Sequence, residues 1–152
     1  MLMLKILPFV TLSVLFTLIF IGGYVSASGL GLSCPQWPLC PNGLASQQEY
    51  VIEYSHRSVA MTTALLVIAT MIFTLRSTIA PKEMKIATVI ASGAAIGQIT
   101  LGAIVIVERL HAILVTAHLG LGLVLFSMIV MTVLYASKLP KRVAIATNGT
   151  AS

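Results

Sequence analysis

Charge is scarce in this sequence of 152 residues: only 9% are Asp, Glu, Lys or Arg, and four of those are acidic. Hydrophobic residues make up 58%, and the mean hydropathy is +1.03. No soluble domain of this length needs so much apolar surface, which leaves an integral membrane protein. Aromatic residues are few, at 7%, and the basic residues are not interleaved with them in a patch. The formal charge of +5 therefore does not describe a nucleic-acid binder. Cysteine is nearly missing: Cys34 and Cys40 are the two present, too few for a thiolate metal site. Lys and Arg are absent altogether from residues 28–52.

What is present is four apolar runs long enough to cross a bilayer, Ile6–Ala27, His56–Leu75, Ile86–Val107 and Leu114–Ala136. They predict an all-α, integral membrane four-helix bundle over residues 1–142, followed by a small polar tail, 143–152. Val25-Ser26-Ala27 resembles a signal-peptide cleavage site and Lys5 a sparse basic leader, but the run is too long for a secretory core, so a retained helix is expected. A lipoprotein cleavage site before Cys34 is discounted, because Gly31 stands where leucine is required. Lys5, Arg76, Lys82, Lys85, Lys138, Lys141 and Arg142 flank the N-terminus, the second connection and the tail. By the positive-inside rule both termini are cytoplasmic and loop 28–52 lies on the extracytoplasmic side of the cell membrane. Asn148-Gly149-Thr150 has the form of a glycosylation sequon, but on the cytoplasmic side it has no role.

Three ionisable side chains crowd the mouth of the second run, in Glu53-Tyr54-Ser55-His56-Arg57. On a helix Glu53 stands three residues from His56 and four from Arg57, so all three share one broad face. A Glu53–Arg57 salt bridge, with His56 reaching to headgroups, accounts for the segment by itself. His118 changes the balance. It lies about one turn inside the outer end of the fourth run, and helices two and four run in the same direction, so the two imidazoles lie at similar depth in the outer leaflet. Four-helix bundles build cofactor sites from inward side chains on facing helices, and imidazole is an axial ligand of haem iron. The pattern predicts a bis-histidine haem between the second and fourth helices, with Arg57 binding a propionate. His111, in the short outer connection, is read as solvated rather than as a ligand.

Gly93 and Gly97 form a GxxxG that reads as ordinary helix packing, and neighbouring Gln98 needs a hydrogen-bond partner inside the bundle. Gly120 and Gly122 either pack a neighbouring helix or clear space for a flat ligand. In the outer loop Cys34 and Cys40 flank a proline-stiffened stretch with Pro35, Pro38 and Trp37. On the oxidising side of a membrane they can close a small disulfide ring, and that ring is either a staple or a redox-active pair beside the cofactor.

The order Gly31-Leu32-Ser33-Cys34-Pro35-Gln36-Trp37-Pro38-Leu39-Cys40, then Glu53-x-x-His56-Arg57, then His118 at the start of a later helix, resembles the haem A synthase family over essentially the whole chain. The resemblance implies an enzyme that oxidises the C8 methyl of haem O to a formyl group, giving haem A for terminal oxidases, with haem b as cofactor. It implies haem ligation by His56 and His118, a catalytic role for Glu53 near the reacting methyl, and a redox-active or structural Cys34–Cys40 pair. Two departures stand out. Family members commonly carry eight helices as two similar halves, whereas this sequence supplies one. An arginine often found before the loop is replaced by the Val25-Ser26 stretch, and an aspartate often preceding the tryptophan is Gln36. One bundle holds one haem, while the reaction needs a substrate haem and an electron-carrying one, so a homo-oligomer is expected, most simply a dimer. Haem O synthase and an electron acceptor are the further partners implied. The competing class is a cytochrome b-like electron carrier that uses the same two histidines and leaves its haem unaltered. A third is a colourless assembly or transport subunit.

Overall fold

The computed structural model describes residues 2–32 and 48–139. Four helices follow in order: α1 (Leu2–Ala27), α2 (Gln48–Arg76), α3 (Lys82–Val107) and α4 (Ala112–Ser137), with a single 3-10 turn at Leu30–Leu32 after α1. Each is long and apolar enough to cross a bilayer, and the chain is an all-α, multi-pass membrane protein. The cysteine loop and the tail with its sequon lie outside the described residues.

The helices outrun the apolar runs that announce them. α2 begins at Gln48 rather than near His56, and α1 at Leu2 rather than Ile6. Backbone hydrogen bonding continues into the interfacial zone, where apolarity is no longer required, so hydropathy marks only the hydrocarbon-crossing part. Glu53, His56 and Arg57 consequently sit within α2, not at its mouth.

α1 packs on α2, α2 on α3, α3 on α4, and α4 closes back on α1. α2 and α4 are therefore diagonal across the bundle. This order brings Lys5, Arg76, Lys82, Lys85 and Lys138 to one end, while Arg57 and Arg109 stand toward the other. The interior mixes alanines and threonines with a few larger aliphatic side chains, while most of the phenylalanines and many of the leucines and isoleucines face outward. Leu15, Val67, Ala91, Ala94, Ala95, Leu125 and Ile129 form the central cluster, drawn from all four helices. Phe9, Phe16, Phe20, Leu65, Ile96, Ile113 and Leu123 face outward. Lipid tails solvate leucine as well as a core does, so large apolar side chains can stand on either side, and the buried alanines allow the helix backbones to approach closely.

Threonines share that interior. Thr63, Thr70 and Thr132 return their hydroxyls to carbonyls one turn back, which satisfies a buried donor without a partner helix. Thr11 additionally meets the Thr70 hydroxyl at 3.0 Å, tying α1 to α2. A second cluster, Leu4, Ala80, Met84, Ala136 and Leu139, closes the basic end, where Lys5 Nζ donates to the Leu139 carbonyl at 2.7 Å.

The α3–α4 turn is tight. The Leu110 amide donates to the Val105 carbonyl and the Arg109 amide to Ile106, the paired bonds of a Schellman ending. Arg109 (φ 50°) takes the left-handed position that usually holds glycine, and Leu110 (φ 64°) follows it. Left-handed geometry costs a side chain roughly 1–2 kcal/mol, and glycine's greater freedom in the unfolded chain returns about half of that. Arg109→Gly is expected to stabilise the fold by up to about 1 kcal/mol, seen as a raised thermal midpoint by circular dichroism in detergent.

Candidate functional site

At the end away from the basic cluster the bundle is thinly filled. Among the described residues only Val25, Glu53 and Val105 are buried there, in contrast to the clusters that pack the middle and the basic end. His56 of α2 and His118 of α4 stand in this part from diagonal helices, and His56 lies within electrostatic range of both His118 and Arg57.

Each imidazole lies against a glycine on the preceding helix. A Cβ placed on Gly22 of α1 would stand 2.9 Å from His56 Cε1. One placed on Gly102 of α3 would stand 3.3 Å from His118 Cε1. Gly22 and Gly102 occupy equivalent places, each five residues before the last residue of its helix, Ala27 and Val107. The two hairpins, α1–α2 and α3–α4, thus repeat one device: a bare backbone on the outgoing helix seats a ring carried by the returning one. Nothing in the sequence singles out these two glycines. The visible signal, the GxxxG of α3, points elsewhere: Gly93 meets open space, and a Cβ at Gly97 would be 3.0 Å from Leu121 Cδ2.

Nδ1 of each imidazole is buried with no hydrogen-bond partner among the described residues. A buried polar atom without a partner is costly, so ring nitrogens left in this state are suited to serve a ligand. The donor set tells which kind. No group of three or more His, Cys, Asp or Glu gathers among the described residues, so a bare cation would find too few protein ligands. A metalloporphyrin brings its own equatorial nitrogens and asks only for axial ligands, which two imidazoles from diagonal helices fit.

Above His56 on the same helix, Arg57 Nη2 donates to Glu53 Oε1 at 2.5 Å. Glu53 is 2% exposed, so this carboxylate is held out of water with its charge answered by the guanidinium. Arg57 keeps 13% of its side chain exposed. His111 is the exposed residue preceding α4 and does not join the site. Gly122 lies against the Gln98 amide, its hypothetical Cβ 2.7 Å from Nε2, whereas Gly120 meets nothing. Cys34, Cys40 and Trp37 lie outside the described residues.

Comparison with known proteins places the chain in a family. The sequence profile of COX15-CtaA, cytochrome oxidase assembly protein, matches residues 44–151. Similar curated proteins include “Heme A synthase” of Bacillus licheniformis, 34% identical over 127 residues, covering 82% of this chain and 42% of that protein. Another, of Exiguobacterium sibiricum, is 32% identical and covers 83% and 44%; a third, of Bacillus pumilus, is 28% identical and covers 86% and 44%. The chain spans somewhat less than half the length of these relatives. The four-helix chain with paired, glycine-seated histidines belongs to the COX15-CtaA family of cytochrome oxidase assembly proteins.

Proposed function

We propose that the protein acts as a haem A synthase, binding haem O between His56 and His118 and oxidising its C8 methyl to a formyl group. The observation that carries this reading is the buried Glu53 carboxylate, fixed by Arg57 one turn from His56. An electron carrier has no use for a buried carboxylate beside its two imidazoles, whereas an ionised carboxylate held in place near a reacting group can accept a proton from it.

Under this reading His56 and His118 hold the substrate haem from opposite faces, and the glycines behind them fix where the rings stand. Arg57 reaches a propionate while keeping its grip on Glu53, which draws the propionate edge to the outer end of the bundle. The C8 methyl is borne on a pyrrole ring that also bears a propionate, so the same anchoring brings the methyl toward Glu53. Conversion of methyl to formyl with water as the source of the oxygen atom releases four protons and four electrons, so protons must leave the reacting carbon. Glu53 accepts a proton there and stabilises positive charge as it develops. The electrons pass to a membrane acceptor. A haem b held by the same two histidines in a second copy of the chain would supply a one-electron iron couple, most simply in a homodimer. The basic end faces the cytoplasm and the histidine end the extracytoplasmic side.

The test is pigment extraction after co-expression with a source of haem O. Formyl haem in the extract is the expected product; unaltered haem bound to the protein would make it an electron carrier, and colourless protein would exclude both. Glu53→Gln keeps the shape and the bond to Arg57 but loses the charge. It is expected to retain haem at wild-type level while formyl product falls by about 100-fold or more. Normal product from this variant would remove Glu53 from the chemistry.

A further inference from the structure

We infer that Gln98 is a specificity-determining residue, whose buried amide oxygen accepts a hydrogen bond from a hydroxyl on the membrane-facing edge of the bound macrocycle. The inference rests on the proposed binding of haem O by His56 and His118, and begins from the α3–α4 seam. Gly102 and His118 form one rung of that seam; Gln98, one turn earlier on α3, and Gly122, one turn later on α4, form the next. A rung lies about 6 Å deeper toward the bilayer centre. That is the scale on which a porphyrin's inner edge lies below its iron.

Gln98 is an unusual choice for that depth. Elsewhere the buried positions of α3 are alanines, the apolar Met84 and Val105, and the short hydroxyls of Thr88 and Ser92, none of them an amide. Gln98 instead presses its Nε2 to 2.7 Å from where a Gly122 Cβ would be, so the amide fits only because residue 122 has no side chain. Its Oε1 is buried with no partner among the described residues. In hydrocarbon an amide oxygen left this way is strongly unfavourable unless something donates to it. Packing alone would be better served by alanine or leucine, and a helix partner would leave Oε1 bonded.

The ligand chemistry supplies a donor at the right edge. Haem O differs from protohaem in carrying a hydroxyethylfarnesyl group where protohaem has a vinyl, away from the propionates. With the propionates drawn outward to Arg57, that hydroxyl is directed inward, to the level of Gln98. The hydroxyl donates to Oε1, and the apolar tail continues between helices into the lipid. Sites that hydrogen-bond a substrate hydroxyl discriminate against analogues that lack it, because the protein group is then left unpaired.

The experiment titrates purified, haem-free protein in detergent with haem O and, separately, with protohaem, following the Soret band. Gln98→Leu is expected to weaken haem O binding about tenfold and leave protohaem binding unchanged. Gly122→Ala keeps the amide but forces it aside, and is expected to give the same selective loss without altering the bundle core. Equal loss for both haems, or no loss for haem O in both variants, overturns the inference while leaving the bis-histidine site standing. Wild-type protein that takes up neither haem overturns the proposed function, and the inference with it.

Discussion

Protein carrying His56→Ala or His118→Ala is expected to lose low-spin haem, with the bundle still folded. Each imidazole comes from a different, diagonally placed helix, so neither can replace the other, and no group of three or more His, Cys, Asp or Glu gathers among the described residues to supply a substitute. Removing an outer-shell partner costs a metal site roughly 10- to 100-fold in affinity. Removing a direct ligand exceeds that. Neither histidine lies in the clusters that hold the helices together, so helicity by circular dichroism should be unchanged. Haem content per protein after purification and the Soret and α-band spectrum give the readout: residual pigment should be little and high-spin. His111→Ala, exposed before α4, is the control and should leave the spectrum as it is. Wild-type, low-spin spectra from either site variant would show that the two rings do not grip an iron.

Much of this arrangement is legible in the residue order, for reasons that differ from part to part. Apolar runs report helices because a bilayer tolerates no other open-ended backbone, and the long run Leu114–Ala136 translates almost directly into α4. Antiparallel succession then brings His56 and His118 to one end without any contact being known. Helix ends are another matter: Gln48 and Glu49 begin α2 where hydropathy has already fallen, because hydrogen bonding, not partitioning, defines the end. The glycine seats are hidden for a deeper reason. Gly22 and Gly102 are defined by what a ring on another helix does, and no local pattern marks that. The GxxxG of α3 is a recognisable pattern, yet Gly93 borders no neighbour, because a motif of spacing says nothing of which face turns inward. Gln98 advertises its need for a partner in sequence, and in the fold that need remains unmet by the described protein groups.

The seats lead to the second large effect. Gly22→Ala is expected to keep the fold and spoil the site. A methyl on residue 22 would lie 2.9 Å from His56 Cε1, inside van der Waals contact, so something must yield. The atom that yields is the far end of an imidazole rather than backbone, and the ring can swing away at little expense to the bundle. Stability should therefore fall by no more than about 1 kcal/mol, at the low end of overpacking effects. The swing itself is what the site does not tolerate, since first-shell groups must be held to within about 0.5 Å of their working position. Purified Gly22→Ala should show mixed high- and low-spin haem and a several-fold loss of pigment, with the helical content of the wild type. Gly102→Ala meets His118 at 3.3 Å, a contact that a few tenths of an ångström relieves, and should lie between wild type and Gly22→Ala in the same spectra. Gly23→Ala, adjacent in sequence but with nothing within 4 Å, should match wild type. That ranking separates a seat from general helix packing: if Gly23→Ala and Gly22→Ala behave alike, the glycines serve the helix and not the ring.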